Sequence, residues 1–157
     1  MDSAEKARAF HKLGYNCTQS VMCAFGGSLG IDERTVKVMA SGFGAGMGRE
    51  QLTCGAVTGA VMAIGCRYFD PDDVRVSRER VYEKTREVLK RFKALHSSLS
   101  CRELLGVDLS TPEGRQQARE QDLYRLRCEP YMMDACRIVD QMLKEDAEPA
   151  APQRPQA

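Results

Sequence analysis

An all-α, single-domain bundle of about six or seven helices is what this sequence predicts, and three observations predict it. Apolar residues recur at three- and four-residue spacing in almost every segment. No run of four to eight residues combines β-branched enrichment with flanking turns as a strand should. Cap and stop residues stand at the ends of the periodic stretches. With 157 residues and 43% apolar composition, the chain can bury one real core, and it offers no break into two domains.

The first helix is expected from about Ser3 to Leu13, with Ala7, Phe10 and Leu13 on one side and Gly14 as terminator. Asn16 opens a second that turns Val21, Met22 and Phe25 inward and stops at Gly26-Gly27 or frays to Gly30. Asp32 caps a short third helix containing Val36 and Met39. In the following Gly42-Phe43-Gly44-Ala45-Gly46-Met47-Gly48, every second residue lacks a side chain, so another segment or a cofactor can approach closely. The spacing does not fit G-x-G-x-x-G and no strand precedes it, which argues against a nucleotide site and for a glycine hinge packed on a neighbouring helix.

Thr53-Cys54 starts the fourth helix, in which Gly55, Gly59 and Ala63 form a stripe of small residues that lets a partner helix come close and makes this helix the central one. A long fifth helix runs from Asp70-Pro71 to about His96, with Val81, Thr85, Val88, Leu89, Phe92 and Leu95 inward and Glu83, Lys84, Arg86 and Glu87 on a solvated face. Ser100 to Gly106 reads as a cap, one or two turns and a glycine stop. Thr111-Pro112-Glu113 begins a sixth helix reaching about Leu126. The last helix, from near Glu129 to Lys144, buries combinations of Met132, Met133, Cys136, Val139, Met142 and Leu143. The helical domain is thus expected over residues 1–145, with a disordered tail of Ala, Pro, Gln and Arg over 146–157.

A formal charge of +1 leaves no single-sign field for nucleic acid or an anionic membrane. The least charged stretch, Gln51 to Cys66, is shorter than the roughly 20 residues of a membrane span. The polar start, with Asp2 and Glu5, lacks the pattern of a secretory signal, so a cytoplasmic location is expected. Seven cysteines, an odd number without an export signal, argue for reduced thiols, metal ligation or reversible redox chemistry.

Four of those cysteines carry the functional signal. Asn16, Thr53 and Ser100 are good N-cap residues directly before Cys17, Cys54 and Cys101, and Pro130 places Cys128 at or just before a helix start. A thiol there sees unpaired N–H groups and the positive helix end, and is expected to ionise easily. Cys23, Cys66 and Cys136 fall within or late in apolar helices and read as packing residues. No C-x-x-C occurs, which weakens a zinc ribbon, a thioredoxin-type dithiol and covalently attached haem. Neither His11 nor His96 sits in an H-E-x-x-H frame, so surface or core-edge roles are expected of both.

Asn16-Cys17-x-x-Ser20-Val21, Gly42-x-Gly44-x-Gly46-x-Gly48, Cys54-Gly55-Ala56-Val57-Thr58-Gly59-Ala60, Cys101-Arg102-Glu103-Leu104-Leu105-Gly106 and Cys128, in that order, resemble the C_GCAxxG_C_C family. That family is named for four cysteines and a C-G-A-x-x-G motif and is taken to be redox-active. The resemblance implies that its four cysteines fall on Cys17, Cys54, Cys101 and Cys128. A similar domain in the split-Soret type of cytochrome is associated with an iron–sulfur centre and dimeric assembly, which implies a cluster and a homodimer here.

The first reading is an electron-transfer or redox-sensing protein in which these four thiolates hold an iron–sulfur cluster of the [2Fe–2S] type. The second is a metal-free thiol oxidoreductase with Cys54 attacking and Cys17, Cys101 or Cys128 resolving. The third is structural: four thiols that bind zinc or simply pack. The partner is expected to be a redox protein or a small-molecule electron donor.

Overall fold

The structure, a computed structural model, describes residues 1–147. It is 75% helical and, among the described residues, holds nine helices and no strand. In chain order these are α1 (Ser3–Lys12), α2 (Cys17–Gly26), α3 (Glu33–Met39), α4 (Gly44–Met47), α5 (Gly55–Tyr68), α6 (Val74–His96), α7 (Cys101–Leu105), α8 (Pro112–Glu120) and α9 (Glu129–Ala147). A 3₁₀ turn (Ser41–Phe43) precedes α4, and a π-helical segment (Tyr124–Cys128) runs into α9.

Local chemistry accounts for most of the boundaries. The side chains of Asp2, Asn16, Asp32, Ser100 and Thr111 each accept a hydrogen bond from a first-turn N–H of the helix they open. Asn16 and Gln19 form a reciprocal capping box. Gly14 (φ 95°) follows α1, and Gly106 (φ 78°) ends α7, in the left-handed conformation that glycine takes without a Cβ penalty.

α5 is the central helix, packed against α2, α6 and α9. A Cβ on Gly59 would lie 2.8 Å from the Val21 Cβ, so the small-residue stripe lets α2 and α5 approach more closely than side chains would allow. Around it the core gathers Val21, Val57, Ile64, Val88, Phe92, Met132, Val139 and Met142, all essentially inaccessible. Lys84 pairs with Asp146 at 2.7 Å, and Arg91 with Glu145, so part of the charged face of α6 fastens α9.

Some expectations change. Leu13 and Leu95 are exposed rather than inward, because each lies at or beyond the last packed turn of its helix. Cys66, read as a packing residue, is exposed near the end of α5; Cys23 and Cys136 are buried. α5 begins at Gly55 with Cys54 itself at the N-cap, since Thr53 is taken up in a bridge to Ser100. α8 ends at Glu120 rather than near Leu126, where Asp122 (φ 53°) turns the chain left-handed. The glycine segment expected as a hinge contains the single turn α4. α9 continues through Ala147, past the expected boundary at 145, and Asp146 is tied to Lys84 and Tyr68. Residues 148–157 of the expected tail lie outside the described residues.

Candidate functional site

Cys17, Cys54, Cys101 and Cys128 come from four separate segments, and all four line one cavity of ≈ 320 Å³. Its walls also include Tyr15, Leu104, Leu109, Tyr124 and Tyr131.

Cys17 is the first residue of α2, set by the Asn16 capping box. A Cβ on Gly55 would lie 3.0 Å from the Cys17 Cβ and 2.9 Å from Thr18 Oγ1, and one on Gly44 would lie 2.5 Å from the Asn16 side chain. Glycines at these positions therefore let the Cys54 segment and the glycine loop close onto the start of α2.

Cys54 and Cys101 are brought together by an isolated antiparallel bridge between Thr53 and Ser100. The Cys54 N–H donates to Leu99 O at 2.7 Å, and the Cys101 N–H to Leu52 O at 2.7 Å. Side chains alternate along paired extended backbone, so Cys54 and Cys101, each one residue past the bridge, point to the same face.

The segment 45–49 is a turn of left-handed helix, with φ of 52°, 65°, 68°, 57° and 73° at Ala45, Gly46, Met47, Gly48 and Arg49. Each non-glycine residue held there costs on the order of 1–2 kcal/mol. The turn seats Gly46 where a Cβ would lie 2.8 Å from the Cys101 Cβ and 2.7 Å from Gln51 Cα. Buried Gln51, itself at φ 54°, donates from Nε2 to Val107 O (2.9 Å) and accepts from the Leu109 N–H (2.8 Å). Its Nε2 also lies 4.0 Å from Cys101 Sγ.

Cys128 corrects a second expectation. It closes the π-helical segment Tyr124–Cys128, which continues directly into α9, so it does not stand at a free helix start. Pro130 lacks an N–H for the helical ladder, and the π-helical segment lies just before it.

Cys17, Cys54 and Cys101 are also not easily ionised. Burial pushes Cys54 up to about 12 and Cys101 up to about 11, with the Cys17 sulfur adding to both. Cys17 is held well above the ordinary thiol value by hydrogen bonding to the Cys128 thiol and then by burial. The Ala56 and Val57 N–H groups pull Cys54 the other way, as its helix-start position predicts, but desolvation outweighs them. Cys17 is the hub of the set, since all three other sulfurs interact with it.

His11, expected at the surface or core edge, lines the cavity with Nδ1 3.2 Å from Oε1 of buried Glu129. His96 takes a core-edge place between Phe92 and Tyr131, 3.1 Å from Asp134. Gln51, Arg49 and the three tyrosines escape sequence reasoning because no periodicity or spacing links them to the cysteines. The position of Gln51, between a glycine run and a capped cysteine, was the one available signal.

A family model described as "Putative redox-active protein (C_GCAxxG_C_C)" matches residues 15–142. No curated protein and no solved structure matches the chain.

Proposed function

The chain belongs to the C_GCAxxG_C_C family, and from its cysteine cavity we propose that Cys17, Cys54, Cys101 and Cys128 ligate an iron–sulfur cluster of the [2Fe–2S] type in an electron-transfer or redox-sensing protein. One observation carries this reading: four thiols from four segments share one cavity, and burial helps to hold Cys17, Cys54 and Cys101 protonated. As free thiols these three are poor nucleophiles at neutral pH. As ligands, they exchange protons for a cationic metal core, which removes the mutual repulsion their ionisation would otherwise create.

Donor chemistry and room both fit. Four thiolates are the common ligand set of a cluster, and the cavity, at ≈ 320 Å³, exceeds the volume of a few atoms. Among the described residues no three His, Cys, Asp or Glu side chains gather around a single point. A two-iron core spreads its ligands over two metal atoms. When bound, such a group supplies one-electron exchange. The chain's part is to direct the Ala56 and Val57 N–H groups at the Cys54 sulfur, to orient Cys101 through Gln51, and to exclude water with Leu104, Leu109 and Tyr131.

The influence of the Cys128 thiol on Cys17, within the cavity both line, favours one alternative, a metal-free dithiol that closes as a disulfide between them. Anaerobic purification with assay of iron and acid-labile sulfide separates the two. Visible charge-transfer absorption with about two irons and two sulfides per chain is expected. Colourless, iron-free protein after anaerobic reconstitution, with a disulfide between residues 17 and 128 in the mass spectrum of oxidised protein, overturns the cluster.

A further inference from the structure

Four arginines stand around the cysteine cavity. Arg115 Nη1 donates to Leu109 O at 2.9 Å, and Arg127 Nη1 to Leu104 O and Leu105 O at 3.3 and 3.2 Å. Both guanidinium groups are therefore fastened to the backbone of residues that line the cavity. Arg49 lines it directly. Arg119 lies one turn beyond Arg115 on the same face of α8.

Among the described residues, none of these four arginines stands within ion-pair distance of a carboxylate. Arg102 and Arg125, on the same stretches of chain, are paired with Asp108 and Asp122. Burial and the Cys128 sulfur raise the Tyr124 hydroxyl, while Arg119, Arg49 and Arg115 pull it back, so three of the four cations act on one oxygen of the cavity wall.

Arg49, Arg119 and Arg127 are exposed, so they are within reach of something that approaches from solvent. Met47 and Leu126, exposed beside Arg49 and Arg127 in sequence, add apolar contact of the kind that accompanies arginine in protein interfaces.

The geometry points to this arginine collar as the docking surface for an acidic one-electron carrier protein. The inference rests on the reading of the cavity as a cluster site. On docking, one electron leaves the carrier, which is oxidised, and arrives at the group held by the four cysteines, which is reduced; no proton or atom is exchanged. The collar shortens the path by holding the acidic partner over the cavity mouth.

Stopped-flow reduction by a reduced plant-type ferredoxin, an acidic one-electron carrier, tests this. Raising sodium chloride from about 10 mM to about 500 mM should slow the second-order rate at least about tenfold. Arg119→Glu should lower the low-salt rate severalfold, and the Arg49→Glu, Arg119→Glu pair by about tenfold or more with a flatter salt dependence. Reduction of the Arg119→Glu protein by photoreduced 5-deazariboflavin, an uncharged reductant, should stay within about twofold of the unmodified protein, since charge steering acts only on charged partners. Calorimetric binding of oxidised ferredoxin at low salt reads the collar even if no cluster assembles, so failure of docking and failure of the cluster are distinguishable. Rates independent of salt and of both charge reversals would overturn the inference. So would inhibition by inorganic phosphate beyond that of sodium chloride at equal ionic strength, which would mark a small-anion site instead.

Discussion

The helical core and the cysteine cavity are built by opposite means. Around α5, cohesion comes from regular helices whose apolar faces interlock, with Phe92, Ile64 and Met132 fully buried. At the cavity the backbone is irregular: a left-handed turn at 45–49, an isolated bridge at Thr53 and Ser100, and a π-turn ending at Cys128. Positions are set there by main-chain hydrogen bonds and by glycines that abut cysteines. The difference teaches that the core supplies the stability, while the cavity spends some of it to hold four thiols in place.

The largest expected effect breaks the core side of this contrast. Phe92→Ala should cost about 3–5 kcal/mol, read by urea denaturation, because it empties a fully buried aromatic site. If iron and sulfide still assemble to the usual ratio in the folded fraction, core and site are separable; selective loss of the cluster in folded protein would show them to be one unit.

Gly46→Ala acts on the other region. Its Cβ would meet Gln51 Cα and Leu52 N at 2.7 Å at a φ of 65°, so a cost of about 2–3 kcal/mol is expected. Far-UV dichroism should stay helical while Cys101 alkylates faster than in the unmodified protein. Unchanged Cys101 reactivity would mean that the glycine does not seat this thiol.

The same contrast governs what could be read in the sequence. The all-helical class, the central place of α5 and the caps at Asn16, Asp32, Ser100 and Thr111 were readable because each depends on residues three or four apart. The short turns α4 and α7 raise the count to nine helices among the described residues, above the six or seven expected. The meeting of Cys17, Cys54, Cys101 and Cys128 in one cavity was signalled by the caps at Asn16 and Ser100, which hold, and by the family motifs, whereas the expected cap at Thr53 does not form. The raised pKa of Cys17, Cys54 and Cys101 could not be read, since the desolvation of Cys54 depends on how deeply distant segments cover it, which spacing does not encode. The π-turn at Cys128, the bridge at Thr53 and the burial of Gln51 are likewise products of tertiary closure.

That desolvation makes stability depend on pH. Cys54 and Cys101, ordinarily titrating at 9.0, are pushed up to about 12 and about 11 in the folded chain. A thiol that binds its proton more tightly when folded contributes fully below its unfolded pKa and loses that contribution as pH rises. The metal-free protein should therefore lose about 1.4 kcal/mol per thiol for each pH unit above about 9, until the folded pKa is passed. Protein reconstituted with a cluster should lack this alkaline loss, because its ligands carry no proton to release. A flat apo profile in urea titrations from pH 8 to about 11 would place these thiols in a wetter cavity than the one described.

The smallest effect is a gain. Met47 is exposed and held at φ 68°, in the middle of a run where each non-glycine residue is strained. Met47→Gly removes a left-handed Cβ without emptying a packed site, although the freer unfolded chain takes back part of the benefit. A net stabilisation of about 0.5 kcal/mol is expected, against a loss of about 1 kcal/mol for the same change at a helical site such as Ala63. If both changes destabilise equally, the turn at 45–49 carries no strain, and the asymmetry between core and cavity would rest on burial alone.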